Sequence, residues 1–362
     1  MGSDLRSRLG QLLIMGFEDA AMSNALRAVL RAIEPGGVIL FRRNIADAKQ
    51  TWELLRECQN AVAMPLFRCI DMEGGTVDRL RDTIAPAAAA APVFATQQKK
   101  LYREHGRVIG EEVRALGFNT DFAPSVDLAF DASAPVMTTR VVSSHAKQVV
   151  TYAGEFLRGL RDARVLGCGK HFPGLGEASL DTHKELPSIK KAWKKLWDED
   201  IYPYRELRRE MPFVMVAHAA YPAVTKKGVP ASLSDRWMRE ILRDKIGYRG
   251  LIVSDDLEMG GVQAAAPIEE AAVETLRAGA DMYLVCRNEE HVWSTYEAVV
   301  REAERDRKFA AIAERVVDRV VKVKRGFRKL LPMSAAPTEK TVARLRKELM
   351  RFGERVEKAA LV

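Results

Sequence analysis

Eight short apolar runs, most of them ending in polar residues, recur along the chain and limit the folds that it can adopt. Helical stretches with apolar residues at three- and four-residue spacing lie between most of these runs. Eight strands that alternate with helices predict an α/β fold, a (β/α)8 TIM-type barrel. A doubly wound sheet is the alternative, because a sequence does not show strand order. The runs occupy residues 12–17, 37–41, 66–71, 119–124, 165–170, 213–218, 251–255 and 282–286, and the helical stretches residues 46–61, 99–116, 146–161, 235–246 and 268–278.

Four polar side chains stand at the C-terminal ends of four different runs: Asp71, Lys170, His218 and Asp255. Parallel barrels place their active sites at this end of the strands. One such residue is common by chance, but four at the same end favour the barrel over the open sheet. We therefore expect a site where these strand ends meet.

The C-terminal part of the chain has a different pattern. An amphipathic helix is predicted over residues 310–329, and a Pro-Ala-Ser linker follows at residues 332–337. Apolar residues near heptad spacing then predict one more helix over residues 338–360, which we expect to pack on the barrel. The sequence thus indicates a barrel domain at residues 1–330 and a linker with a C-terminal amphipathic helix at residues 331–362.

Composition and cysteine usage are those of an ordinary globular protein. The 362 residues are 47% hydrophobic and 7% aromatic, and no run approaches the roughly 18 apolar residues that a membrane span needs. The N-terminus lacks a long apolar segment, so no membrane partner and a cytoplasmic location are expected. The four cysteines are scattered singly without Cys-x-x-Cys spacing, which favours buried reduced thiols.

The net charge of +8 raises the question of nucleic acid. The basic residues are mostly interleaved with acidic ones on helices, as at residues 236–245 and 301–308, and no aromatic-basic stacking pattern accompanies them. We therefore predict no nucleic-acid partner.

A Lys-His pair at the end of the fifth run precedes a predicted loop. Lys170 and His171 are followed by Pro173 and two glycines, which disfavour both a helix and a regular strand. Asp181 and His183 are two residues apart on this loop, so the carboxylate could bond one imidazole nitrogen and support the protonated ring. Either pair alone is more often a solvated surface feature.

Carboxylates also follow two other runs. Residues 254–257 read Ser-Asp-Asp-Leu, which delivers Asp255 and Asp256 at a strand tip, although the pair could merely cap the following helix. Residues 71–79 read Asp-Met-Glu-Gly-Gly-Thr-Val-Asp-Arg, and an isolated turn of this kind could be only a strand-to-loop reversal. A weaker motif is Thr-Arg-Val at residues 139–141.

Together, and in this order, these motifs resemble glycoside hydrolase family 3, in its bacterial β-N-acetylglucosaminidase branch. The resemblance runs from about residue 8 to about residue 325. It implies a glycoside hydrolase that cleaves terminal β-linked N-acetylglucosamine with retention, acting on peptidoglycan fragments. Catalysis is then assigned to the nucleophile Asp255 and to an acid/base dyad of Asp181 and His183, and sugar binding to Asp71, Arg79, Arg140, Lys170 and His171.

The chain departs from the family pattern at two positions. Leu175 stands where most relatives have a second histidine, and an apolar side chain can neither donate nor accept a hydrogen bond there. Thr76 stands where many relatives have a basic residue. Neither change removes a group that the implied chemistry requires, although loop packing or rate could differ.

Several alternatives remain open at this stage. The same family includes β-glycosidases for other sugars and enzymes that use phosphate as the acceptor, and the chain could be a non-catalytic sugar-binding protein. A Schiff-base aldolase with Lys170 as nucleophile and a metal-dependent hydrolase using His171, His183, Asp255 and Asp256 are the other enzyme classes. We expect no cofactor, no metal, a small carbohydrate as the ligand, and a monomer.

Overall fold

The computed structural model describes residues 3–178, 186–225 and 228–360. Within them, eight parallel strands form one sheet and two short strands form a separate antiparallel hairpin. The strands are β1 Leu13–Met15, β2 Gly37–Ile39, β3 Phe67–Ile70, β4 Met72–Gly74, β5 Val77–Asp78, β6 Thr120–Asp121, β7 Cys168–Phe172, β8 Phe213–Val216, β9 Leu251–Asp256 and β10 Met282–Val285.

The sheet curves into a barrel. Its strands follow the order β6-β3-β2-β1-β10-β9-β8-β7, and every neighbouring pair is parallel. The two edges are joined by parallel bridges between Thr120 and Leu166 and between Ser125 and Lys170. The amide of Val126 donates to the carbonyl oxygen of Lys170 at 2.8 Å across this seam. The predicted TIM-type barrel is confirmed, and the doubly wound sheet is wrong.

Aromatic side chains fill the inside of the barrel. The rings of Phe67 and Phe213 meet edge to face with their centroids 5.0 Å apart, and Phe122 packs on Phe213 at 6.0 Å. All three side chains are fully buried. The barrel is therefore closed in its middle, and any cavity between the strand ends has an apolar floor.

Helices cover the outside of the barrel, which explains why the strands are buried on both faces. All five predicted helical stretches are helical in the structure, one of them as a π-helical segment, and a further helix that was not predicted begins after the N-cap Ser23. The helices are α1 Ser3–Gly10, α2 Asn24–Ile33, α3 Ala48–Ala61, α4 Ala90–Ala95, α5 Lys99–Ala115, α6 Ala134–Met137, α7 Ala146–Asp162, α8 Trp193–Asp198, α9 Tyr202–Glu206, α10 Gly260–Gln263, α11 Ile268–Ala278, α12 Glu289–Arg305, α13 Arg307–Gly326 and α14 Glu339–Ala360, with the π-helical segment Arg236–Lys245 and 3-10 turns at Arg42–Asn44, Asp131–Ser133, Thr138–Arg140 and Ala231–Leu233.

The C-terminal helix α14 packs on the barrel's own outer layer. The ring of Phe352 stacks on His105 of α5, with centroids 5.6 Å apart and an interplanar angle of 15°. Arg346 donates from Nε to the carbonyl oxygen of Ile84 at 2.8 Å, and Arg355 pairs with Glu104. The apolar positions of the predicted heptad pattern, from Leu345 to Val356, are therefore covered by the same chain. None of the described helices has the length and apolar character of a membrane span.

Lys324 of α13 is a buried cation at the N-terminal end of the barrel. Its side chain is only 2% exposed, its Nζ donates to Gln11 Oε1 at 2.7 Å, and it lies 5.1 Å from the centroid of the Phe67 ring. In the described residues no carboxylate lies within ion-pair distance of it. Burial lowers the pKa of Lys324 to about 7.

We predict that Lys324→Met removes a pH dependence of folding. Because the folded pKa of about 7 lies below the ordinary value of 10.5, the unfolded chain binds more protons than the folded one between these values. The wild-type free energy of unfolding should therefore rise with pH above 7, with a contribution approaching about 1.4 kcal/mol per pH unit. Urea denaturation at pH 7, 8 and 9 measures this slope. Lys322→Met, at an exposed position of the same helix, is the control; equal slopes in both variants would contradict the prediction.

Candidate active site

A cavity of about 160 Å3 opens at the C-terminal ends of the barrel strands. Six of the residues predicted from the sequence line it: Asp71, Arg79, Arg140, Lys170, His171 and Asp255. Phe122 and Met215 contribute apolar surface, consistent with the filled barrel below. The fold therefore brings together every residue that the family resemblance assigned to the site and that lies in the described part of the chain.

The carboxylate of Glu73 is the centre of the charged residues in this cavity. Arg140 binds it in a bidentate manner, with Nε and Nη2 each 2.9 Å from a carboxylate oxygen. Lys170 Nζ lies 2.7 Å from Glu73 Oε1 and donates to Asp71 Oδ1 at 2.9 Å. Asp71 in turn lies 3.7 Å from Arg79 Nη2. These five side chains alternate in charge, so each cation has an anionic neighbour.

The pKa values of these groups are shifted toward their charged forms. Burial would raise the pKa of Glu73, but Arg140 and Lys170 outweigh burial and hold this pKa well below its ordinary value. Burial would also lower the pKa of Lys170, but Asp71 and Glu73 raise it above the ordinary value. The amine of Lys170 is therefore protonated at neutral pH and is not available as a Schiff-base nucleophile.

Asp71 and Glu73 both contact Lys170 because of the backbone between strands β3 and β4. Asp71 follows β3 directly, and the chain then forms the hairpin of β4 and β5. The amide of Met72 donates to the buried Asp121 Oδ1 at 2.9 Å, which fixes the peptide between the two carboxylates. The turn of this hairpin has Gly74 and Gly75 at φ of 81° and 61°, where side chains are disfavoured.

His171 is held by a carboxylate that the sequence analysis did not identify. Its Nδ1 lies 2.7 Å from Asp127 Oδ2, and its Nε2 lies 3.4 Å from Arg140 Nη2. Burial would raise the pKa of Asp127, but His171 outweighs burial and lowers it. The ring is thereby oriented with Nδ1 toward Asp127 and Nε2 toward Arg140. Asp127 also accepts the amide of Leu175 at 2.7 Å.

The two carboxylates at the end of strand β9, Asp255 and Asp256, differ in their hydrogen bonds. Asp255 lines the cavity and accepts only the amide of the next residue at 2.9 Å among described hydrogen bonds. Asp256 accepts the amides of Glu258 at 3.0 Å and Cys286 at 3.2 Å, and burial raises its pKa to about 7. Asp256 thus holds the strand end but does not cap the following helix, whose N-cap residue is Met259. Asp255 keeps a carboxylate oxygen for a ligand.

His218, the fourth polar residue at a strand end, contacts the backbone at the end of strand β9. Its Nε2 lies 2.9 Å from the carbonyl oxygen of Asp256, and its Nδ1 lies 2.6 Å from Ser232 Oγ. The side chain is fully buried. His218 therefore supports the backbone next to Asp255 and is not among the cavity-lining residues.

The predicted dyad of Asp181 and His183 lies outside the described residues. The chain on both sides of it is anchored near the cavity. Before it, the carbonyl oxygen of Gly174 accepts the hydroxyl of Tyr221 at 2.7 Å. After it, Lys191 Nζ lies 2.6 Å from Asp200 and 3.4 Å from Glu177. This buried lysine therefore joins the two flanks of the segment.

Comparison with known proteins identifies the family. A family model described as the glycosyl hydrolase family 3 N-terminal domain matches residues 4–323. The chain belongs to glycoside hydrolase family 3. Two relatives are both named beta-hexosaminidase. The one from Idiomarina loihiensis is 34% identical over 270 residues, which are 72% of this chain and 79% of the relative. The one from Bordetella pertussis is 38% identical over 260 residues, 70% and 73% of the two chains.

A solved structure extends the similarity to nearly the whole chain. The family 3 β-N-acetylglucosaminidase from Paenibacillus sp. str. FPU-7 superposes with a TM-score of 0.93 at 32% identity, covering 98% of this chain and 68% of that one. The resemblance stated from the motifs is thereby confirmed at the level of the family and of the barrel. The protein is a glycoside hydrolase.

Leu175, the departure from the family pattern, is accommodated in this family 3 site. Its side chain is buried and lines the cavity, while its amide is held by Asp127. The backbone anchor at this position therefore does not depend on the side chain. The substitution makes this part of the cavity wall apolar.

We predict that Glu73→Gln strongly lowers the free energy of unfolding of the protein. The change leaves the buried Lys170 and Arg140 without most of their counter-charge, and breaking a buried ion pair from one side costs about 3–5 kcal/mol. Urea denaturation at pH 7 measures the loss. Glu57→Gln, which removes a half-exposed pair with Arg27, is the control and should cost less than about 1 kcal/mol. Similar losses in the two variants would be inconsistent with a central role for Glu73.

Proposed function

We propose that this protein is a retaining, exo-acting β-N-acetylglucosaminidase in which Asp255 is the nucleophile. The observation that carries the proposal is the position of the Asp255 carboxylate in one cavity with Asp71, Arg140, Lys170 and His171. Relatives named beta-hexosaminidase, and a structural neighbour named β-N-acetylglucosaminidase, support the same sugar class.

The shape of the cavity supports action at a chain end. The Phe67, Phe122 and Phe213 layer fills the barrel below, so the cavity has an entrance and a closed floor. A substrate would therefore enter with its terminal residue first.

The polar residues of the cavity supply the groups that hold a sugar. Asp71 can accept hydrogen bonds from hydroxyl groups, and Lys170 and Arg140 can donate to hydroxyl oxygens. Arg79 lies with its guanidinium 5.5 Å from the centroid of the Phe41 ring, and its buried Nε has no described hydrogen-bond partner. These donors and acceptors are already oriented by one another, so little reorganisation is needed when a sugar binds.

The proposed reaction has two steps. In the first, an oxygen of Asp255 attacks the anomeric carbon, the bond to the leaving oxygen breaks, and that oxygen takes a proton from His183. In the second, His183 takes a proton from water, the water oxygen attacks the same carbon, and Asp255 is released as a carboxylate. Asp181 supports the protonated imidazole in both steps.

The natural substrate class, the location and the oligomeric state rest on the sequence alone. Peptidoglycan fragments as the substrate, a cytoplasmic location and a monomeric enzyme therefore stay predictions.

The stereochemistry and the acceptor of the reaction can be tested together. Nuclear magnetic resonance of the first-formed sugar product, recorded without and then with added phosphate, distinguishes hydrolysis with retention of configuration from transfer of the sugar to phosphate. A β-configured free sugar in both conditions is the expected product.

We predict that Asp255→Ala abolishes turnover. Without the nucleophile no covalent intermediate forms, and the rate on a chromogenic β-N-acetylglucosaminide should fall at least about a thousandfold. A fluorinated N-acetylglucosaminide with an activated leaving group should add its sugar to Asp255 of the wild type, as located by peptide mass spectrometry. Asp244→Ala, an exposed position at the other end of the barrel, should keep its rate. Label on another residue would reject the assignment.

The acid/base role of His183 has its own prediction. His183→Ala should slow cleavage of a disaccharide about 10²–10⁴-fold, because its leaving group needs a proton. The loss should be much smaller for a nitrophenyl glycoside, whose leaving group departs as an anion. Parallel rate measurements on the two substrates, with the exposed His145→Ala as control, provide the test. Equal losses on both substrates would mean that His183 has another role.

A further inference from the structure

A groove lined by arginines lies at the opposite end of the barrel from the catalytic cavity. It has a volume of about 360 Å3 and runs between the π-helical segment Arg236–Lys245 and helix α13, next to the start of β9 and β10. Leu276, Ile312 and Val316 form its apolar part. Its cationic lining residues are Arg239, Arg243, Arg249, Arg315 and Arg319.

Two of the five guanidinium groups are neutralised by one buried carboxylate. Asp281 is fully buried, pairs with Arg243, and lies 2.5 Å from Arg319 Nη1. Its Oδ2 also accepts the amide of Ile252 at 2.7 Å. These contacts tie the groove wall to strand β9, so Arg243 and Arg319 have a structural role.

The other three arginines have no carboxylate partner among the described residues. Arg239 donates to the carbonyl oxygen of Arg277, and Arg249 donates to the carbonyl oxygen of Arg243 at 3.0 Å. Arg315 is exposed. Asp244 is the acidic residue among the described lining residues. Counting Asp244 and Asp281 against the five guanidinium groups leaves three positive charges unbalanced in one groove.

This arrangement differs from the charge pattern of the neighbouring helices. Elsewhere the chain pairs arginine with glutamate one helical turn away, as for Arg107 with Glu111 and Arg344 with Glu348. In the groove the residue at that spacing from Arg315 is another arginine, Arg319, which is already paired with Asp281. The guanidinium of Arg315 therefore lacks a carboxylate partner among the described residues, and a bound anion would supply the missing counter-charge.

Two further observations indicate space and donors for an anion. The buried Nε of Arg243 has no hydrogen-bond partner in the described part of the chain, which is rare for a buried donor. Although Asp281 holds Arg243 in place, this nitrogen is left as an additional donor beside the three unpaired arginines. Gly279, at φ of 121°, leaves room for Arg239, since a Cβ there would lie 2.8 Å from its Cγ. The glycine thus allows the arginine to extend along the groove.

We propose that this groove binds the phosphate group of a small molecule, with Arg239, Arg249 and Arg315 as its ligands. Guanidinium groups match phosphate oxygens in geometry and can bind them in a bidentate manner. A doubly charged phosphate offsets most of the three unbalanced charges. The limited volume and the apolar part of the groove suit a small phosphorylated molecule better than a polymer.

The test is binding of inorganic phosphate to the full chain. Calorimetry or thermal unfolding is measured at constant ionic strength against chloride, with saturating N-acetylglucosamine to occupy the catalytic cavity. Wild type should bind, and Arg239→Gln combined with Arg315→Gln should bind about tenfold more weakly or worse. Arg103→Gln combined with Arg355→Gln removes the same charge from another surface groove, where both arginines have acidic partners, and should bind like wild type.

Each other outcome overturns the proposal. Equal effects of phosphate and chloride would show only ionic screening, and loss of phosphate binding on adding N-acetylglucosamine would place it in the catalytic cavity. Binding of phosphatidylglycerol vesicles, but not of free phosphate, that depends on Arg239 and Arg315 would assign the groove to a membrane surface. Turnover of the groove variant without phosphate should equal that of wild type, since the groove lies at the far end of the barrel.

Discussion

The pairing of one buried carboxylate, Glu73, with Lys170 and Arg140 is the interaction on which the C-terminal end of the barrel strands depends. These cations come from β7 and from the 3-10 turn at Thr138–Arg140, and Glu73 comes from β4. A buried charge without a partner would be too costly to retain. Glu73 therefore fixes the relative positions of three segments that are far apart in sequence. Asp71 and His171 take their places around this centre, through Lys170 and Arg140 respectively.

The parallel barrel makes this convergence possible because it directs the C-terminal ends of all its strands to one side. Adjacent residues at a strand end have different partners, as strand β9 shows. On β9, Asp255 and Asp256 both line the cavity. Ser254 accepts the amide of Leu284, and Asp256 accepts the amides of Glu258 and of Cys286, which follows β10. Asp255 thus keeps a carboxylate oxygen for a ligand, whereas its two neighbours hold the strand end.

The sequence predicted the barrel and the lining residues well, because both follow from local signals. Strand periodicity, polar strand ends and family motifs are visible in short windows, and they lead to Asp71, Lys170 and Asp255. Glu73 and Asp127 were not identified as site residues, since their importance lies in partners 67 and 44 positions away. The hairpin of β4 and β5 and the closure of the barrel through Ser125 and Lys170 also depend on distant contacts. The roles of Asp181 and His183 stay predictions.

The two ends of the barrel differ in how their charges are balanced. At the catalytic end every buried cation has a carboxylate within hydrogen-bond distance among the described residues, so the site is rigid before a sugar arrives. At the other end Lys324 is bonded to a neutral amide, and the arginine groove has more cations than acids. Along the sequence the basic residues are mostly interleaved with acidic ones. In the fold, however, the groove brings together arginines that have no carboxylate partner among the described residues. A surplus of this kind can attract an anion at a distance from the cavity that Asp255 lines.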